Sequence, residues 1–119
     1  MCRQDYQWKH EAILYGWKPG ASHNWYGDRK QTTTWEVNKP CANREHPTMK
    51  PLELIAIGIN NSSKLNDIVY DGFGGSGSTL ITCEASGRVC FMMELDPIYC
   101  DVIIERWEKL TGQKAEKLN

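Results

Sequence analysis

The chain holds 119 residues, 40% apolar and 24% charged, and its 14 Lys and Arg against 15 Asp and Glu leave a formal net charge of −1. That length and composition suit one domain of ordinary soluble type and exclude collagen-like and wholly disordered chains. The longest nearly unbroken apolar run, residues 52–59, is interrupted by Glu53 and falls far short of the roughly 18 residues a membrane-spanning helix needs, so no membrane partner is expected.

The first residues, Met1-Cys2-Arg3-Gln4-Asp5, lack the basic flank and apolar stretch of a secretory signal, which makes the cytoplasm the expected compartment. Five cysteines (2, 41, 83, 90 and 100) form no CxxC pair and no Cys/His cluster at zinc-finger spacing, so they are read as reduced thiols and no metal is expected. Charge is uneven. Residues 1–50 carry 8 basic against 5 acidic side chains, and residues 51–119 carry 6 against 10. Four of the five tryptophans lie in the basic part, and four of the ten glycines crowd into residues 72–77 of the acidic part.

In chain order, residues 5–17 alternate aromatic or aliphatic with polar side chains and meet the turn signal Lys18-Pro19-Gly20, which predicts a strand or hairpin. Residues 32–37, Thr-Thr-Thr-Trp-Glu-Val, suit one short strand, and the remainder of 21–45 reads as loop. Pro51 stands where a helix over 52–60 would begin, with Glu53 near its positive end, and Asn61-Ser62-Ser63 closes it. Ile68-Val69-Tyr70 reads as a buried strand that stops at a glycine-rich loop, 71–78. A helix follows over 79–86, closed by Gly87, and 88–95 returns as a second apolar strand. Asp96-Pro97 is a helix start, with the aspartate as N-cap, and Tyr99, Val102, Ile103, Trp107 and Leu110 recur at helical spacing up to Gly112. The last seven residues are a polar tail.

Strand, loop, helix and strand make a βαβ unit of an open parallel α/β sheet, whose ligands bind beyond the carboxyl ends of the strands. The expected organisation is a strand and loop segment over 1–45 followed by a βαβ ligand-binding segment over 46–119. The loop contains GxGxxG (Gly72, Gly74, Gly77), and Glu94 lies 22 residues after Gly72 at the end of the next strand. Taken alone this matches a dinucleotide fingerprint, with Glu94 accepting from two ribose hydroxyls. Asp71, directly before the glycines, argues otherwise. A carboxylate there would repel a pyrophosphate, whereas S-adenosylmethionine carries a sulfonium and an ammonium and no phosphate, and its own carboxylate can still face the helix N-terminus.

Three blocks carry a family resemblance: His46-Pro47-Thr48-Met49-Lys50-Pro51-Leu52-Glu53-Leu54, Asp71-Gly72-Phe73-Gly74-Gly75-Ser76-Gly77-Ser78-Thr79, and Met93-Glu94-Leu95-Asp96-Pro97-Ile98-Tyr99. They resemble the C-terminal part of DNA adenine-N6 or cytosine-N4 methyltransferases of the permuted type, in which the cofactor motifs follow the catalytic motif. Trp8-Lys9-His10-Glu11 with Ile13-Leu14-Tyr15-Gly16 is similar to a late strand pair of that family. The resemblance implies a partial Rossmann-like α/β fold and S-adenosylmethionine as cofactor. It implies further that Asp71, Phe73, Gly74, Gly75 and Gly77 surround the methionine part, and that Ser76, Ser78 and Thr79 also belong to the cofactor-binding set. By the same resemblance Glu94 holds the ribose, and Thr48, Lys50 and Pro51 close over the cofactor. The family's Asp/Asn/Ser-Pro-Pro-aromatic catalytic motif does not occur, since no two prolines are adjacent. Asp96-Pro97-Ile98-Tyr99 is read as a helix cap instead.

Lys18, His23, Trp25, Arg29 and Lys30 form a basic and aromatic segment that could contact phosphates and stack on bases, or pack its tryptophans in a solvated loop. His10-Glu11 has no partner at HExxH spacing and reads as strand surface. The expected function is the cofactor-binding portion of a site-specific DNA methyltransferase of phage or restriction-modification type, acting on double-stranded DNA. An upstream catalytic chain or a second copy would complete it. A non-catalytic assembly module and, through GxGxxG alone, a nicotinamide-dependent oxidoreductase are the alternatives.

Overall fold

The computed structural model describes residues 4–38 and 49–118, ordered as α1 (Leu52–Ser62), β1 (Ile68–Asp71), α2 (Ser78–Ser86), β2 (Val89–Met92) and α3 (Pro97–Thr111). The two strands pair in parallel, Ile68 opposite Val89 through Asp71 opposite Met92, with α2 as the crossover. The expected βαβ unit is therefore present.

Local chemistry explains most boundaries. Gly87 takes the left-handed conformation (φ 71°) that ends α2, and Gly112 (φ 71°) ends α3 in the same way. Asp96 Oδ1 accepts from the Ile98 N–H at 2.9 Å, satisfying one of the free donors of α3, and Pro97 supplies the first helical residue. The capping reading of Asp96-Pro97-Ile98-Tyr99 holds. Helix α1 runs two residues past the expected end. Asn61 is buried and pairs its side-chain amide with Gln31 at 2.8 Å, so it does not compete for its own backbone, and the Ser63 N–H and hydroxyl both donate to the Ile59 carbonyl. Strand β2 is shorter than expected because its only ladder partner among the described residues spans four residues.

The hairpin or strand expected over 5–17 and the strand expected over 32–37 do not form; residues 4–38 contain no helix or strand. A strand exists only as one side of a ladder, and no strand among the described residues lies beside these segments to receive their N–H and C=O groups. The turn at Lys18-Pro19-Gly20 is present, with Ala21 N–H donating to the Lys18 carbonyl. The segment is tied to Asn61 of α1 by the Gln31 side chain and by the Tyr26 N–H, which donates to the Asn61 carbonyl at 2.8 Å.

The core is small. Its buried apolar side chains among the described residues are Ile59 from α1, Ile81 and Cys83 from α2, and Ile103 from α3, of which Cys83 alone is fully buried. Cys83 and Cys90 pack as small apolar groups, and burial pushes the Cys90 thiol up to about 12, so both stay protonated. The opposite face of the sheet is bare: Ile68, Tyr70, Val89 and Phe91, at alternate positions, are 68, 66, 46 and 57% exposed.

Arg88 staples the helix ends together. Its guanidinium donates to the Ser63 hydroxyl and carbonyl at the end of α1 and to the Ser86 carbonyl at the end of α2. A cation at two helix C-termini is favourable, so Arg88→Ala is expected to lower stability by about 2 kcal/mol. Urea unfolding of the two proteins checks this, and equal midpoints would count against it.

Candidate cofactor site

Both strands end at the same edge, and the loop after β1 and the residues after β2 are stitched there. Met93 N–H donates to the Asp71 carbonyl at 2.9 Å, and Gly74 N–H donates to the Met93 carbonyl at 2.8 Å. Gly77 N–H closes a turn onto the Gly74 carbonyl and is followed directly by α2. Two glycines are required by space. A Cβ on Gly74 would stand 2.7 Å from the Met92 side chain, and one on Gly77, already at φ 86°, would stand 3.0 Å from Ile103.

Above this loop lies a cleft of about 360 Å³ lined by Lys50, Ile55, Asp71, Phe73, Gly74, Gly75, Ser76, Ser78, Thr79, Glu94 and Tyr99. Nine of the residues singled out from the sequence therefore share one cavity. Gly77 is turned beneath it against Ile103, and Pro51 is the N-cap of α1. Thr48 lies outside the described residues. Ile55 and Tyr99 are additions. Ile55 stands one turn after Pro51, and its amide donates to the Pro51 carbonyl; Tyr99 stands in the first turn of α3, where its helical spacing reads only as packing.

The two carboxylates are held differently. Asp71 Oδ1 accepts from the Phe73 N–H at 3.0 Å, which turns the chain out of the strand and leaves Phe73 93% exposed at the loop tip. Glu94 bridges the loop and the entry to α3, accepting from Asp96 N–H through Oε1 at 2.9 Å and from Gly75 N–H through Oε2 at 2.6 Å. These donors, Asp96 first, hold its carboxyl below the usual range, so it is ionised at neutral pH. Each oxygen keeps a second lone pair for a further donor.

Lys50 is paired with Glu11 at 2.6 Å, which brings residues 10–11 to the rim of the cleft. His10-Glu11 is thus not strand surface: Glu11 is an ion-pair partner of a cleft residue, and His10 lies beside Trp8 with ring centroids 5.2 Å apart. The basic and aromatic segment divides. His23 stacks on Trp17 at 4.2 Å and meets the Tyr15 hydroxyl at 2.6 Å, next to the turn that carries Lys18. Trp25 donates to the Asp28 carbonyl, Arg29 is exposed, and Lys30 lines a second, more open groove of about 580 Å³ against α1. That groove is larger, but it holds neither the glycine loop nor Asp71 or Glu94, so the smaller cleft is the candidate. Among the described residues no three His, Cys, Asp or Glu side chains gather as a metal would require, and no helix is long and apolar enough to cross a membrane.

Comparison with known proteins gives the family. Residues 3–105 match the N6/N4 family described as DNA methylase. The Type II methyltransferase M.Cfr9I of Citrobacter freundii is 36% identical over 100 residues, which is 82% of this chain and 33% of that protein. TTHA0409 from Thermus thermophilus, solved in complex with S-adenosyl-L-methionine, superposes with a TM-score of 0.53 at 35% identity over 61% of this chain and 30% of its own. The M1.HpyAVI complex with the same molecule gives 0.59 at 27% identity, over 70% and 43%. The chain thus spans about a third of the length of M.Cfr9I. Matched over residues 3–105 and 36% identical to a relative over 82% of its length, this chain is a member of the N6/N4 DNA methylase family.

Proposed function

We propose that this chain is the S-adenosylmethionine-binding portion of a site-specific DNA methyltransferase that modifies an adenine N6 or cytosine N4 amine in the cytoplasm, in a phage or restriction-modification setting. The observation that carries the reading is the gathering of Lys50, Asp71, the glycine loop and Glu94 around one cleft at the N-terminus of α2. The residues fit the cofactor. Glu94, charged and pinned at the end of β2, offers lone pairs to ribose hydroxyls, and Asp71 attracts the cationic methionine part, where a pyrophosphate would be repelled. The free N–H groups at the start of α2 suit a carboxylate. Bound there, the cofactor supplies a sulfonium methyl group. The chain's own part is to hold and orient that group; Lys18, His23, Trp25, Arg29 and Lys30 serve as contacts to double-stranded DNA in the complete enzyme. Titration with S-adenosylhomocysteine and with NAD separates this reading from an oxidoreductase: heat with the first and none with the second is expected, and the reverse would sink it.

The bare sheet face favours a second, compatible reading, in which the chain completes a partner. Among the described residues the sheet has two strands with both edges unpaired, and Ile68, Tyr70, Val89 and Phe91 present apolar side chains to solvent. Surfaces of this kind recruit strands or helices. An upstream catalytic chain or a second copy would cover them. Light scattering of the pure protein is therefore expected to return a dimer or larger species, and a stable monomer at high concentration would argue against self-association.

A further inference from the structure

Arg106 is the one long cation of the C-terminal half that reaches the cofactor loop from behind. It projects from the third turn of α3, and its Nη1 donates to the Ser76 carbonyl at 2.6 Å and approaches the Ser76 and Ser78 hydroxyls at 3.4 Å each. Ser76 and Ser78 both line the cleft, and Ser78 is the buried first residue of α2. Among the described residues no carboxylate forms an ion pair with Arg106. Its position is costly for a residue serving the fold alone. Arg88 lies at helix C-termini, where a cation is favourable, whereas Arg106 lies at the N-terminal end of α2, where the helix dipole has the same sign. Burial of the guanidinium adds to the penalty and lowers its affinity for the proton. An unfavourable charge retained beside a binding loop points to a role in that loop.

The role follows from which groups the bond occupies. The Ser76 carbonyl is drawn toward α3, while the backbone N–H groups of Ser76, Ser78 and Thr79 have no acceptor among the described residues. We propose that Arg106 is a positioning residue that fixes Ser76 and Ser78 from behind the loop, so that these N–H groups are preorganised for the carboxylate of the amino-acid half of the cofactor. The assignment rests on the cofactor reading above. It makes a separable claim, because the ribose and adenine are served by other residues, Glu94 among them.

Calorimetric titration of wild type, R106Q and R106K with two ligands tests it: S-adenosylhomocysteine, which carries the amino-acid part, and 5′-methylthioadenosine, which lacks it. R106Q is expected to weaken S-adenosylhomocysteine about tenfold or more while changing methylthioadenosine by less than about twofold, since the lost preorganisation concerns charged hydrogen bonds at one end of the ligand only. R106K, which keeps the charge but whose shorter side chain cannot carry its nitrogen to the place Nη1 occupies between Ser76 and Ser78, should fall between. Equal affinities of wild type and R106Q for S-adenosylhomocysteine overturn the proposal, as does an equal loss of both ligands, which a merely structural role would produce. Should R106Q fail to fold, R106K carries the test: a selective loss of S-adenosylhomocysteine supports the proposal, and equal changes for both ligands overturn it. Wild-type protein that binds neither ligand removes the cofactor reading itself and this assignment with it.

Discussion

Purified alone, the 119-residue chain is expected to bind S-adenosylhomocysteine weakly and to transfer no tritiated methyl group to unmethylated genomic DNA. Binding persists because Lys50, Asp71, the glycine loop and Glu94 lie within one continuous stretch and already share a cleft. Affinity suffers because among the described residues the sheet has two strands, with no neighbouring strand to wall one side of the cleft and order its exposed Phe73. Transfer fails for a stronger reason. A methyl group moves only when the acceptor amine is held in line with the sulfonium, and such positioning accounts for roughly 7–11 kcal/mol of a barrier. The Pro-Pro motif that performs this in the resembling family is not in the sequence, and Asp96-Pro97-Ile98-Tyr99 is engaged as the start of α3. Incorporation above that of a Gly75→Trp control would reveal an acceptor-binding group within these residues. Addition of a chain that supplies the missing motif and covers the bare face is expected to restore transfer.

Glu94→Ala is expected to weaken S-adenosylhomocysteine at least about tenfold, because it removes a charged acceptor for the ribose. It also releases Gly75 and Asp96, so the loop and the entry to α3 lose their common anchor. The pH dependence has a definite sign. The folded carboxyl titrates below its ordinary value of 4.5, so its stabilising contribution is fully present above that value and is lost as pH falls below it, through the lower folded value. Wild-type affinity should therefore hold from neutral pH down to about 5 and decline in more acid solution. Glu94→Gln should lack that decline. Equal affinities of wild type and Glu94→Ala by calorimetry would show that Glu94 serves the loop alone.

Several features were open to reading in the sequence because they are set by neighbours within a few residues. Asp96 caps the helix that Pro97 begins, Gly87 and Gly112 close helices by adopting positive φ, and the glycines after Asp71 lead into α2. The cleft was legible for the same reason, since its residues stand at the ends of two successive strands of one βαβ unit, and that topology alone sends them to one edge.

Other features were decided by partners distant in sequence. The alternation over 5–17 promised a strand, but alternation is only a preference, and without a ladder partner the segment stays irregular. Helix α1 ends at Ser62 because Gln31, 30 residues away, takes up the Asn61 amide. Glu11 reaches Lys50 across 39 residues, and Arg106 reaches Ser76 across 30. The sequence by itself determined the βαβ unit, its caps and most of the residues around the candidate cleft, since these follow from backbone chemistry at short range. Only the tertiary structure decided which cation braces the loop from behind, which sheet face is left bare and which N-terminal residues reach the cleft, because side chains remote along the chain meet there only after packing.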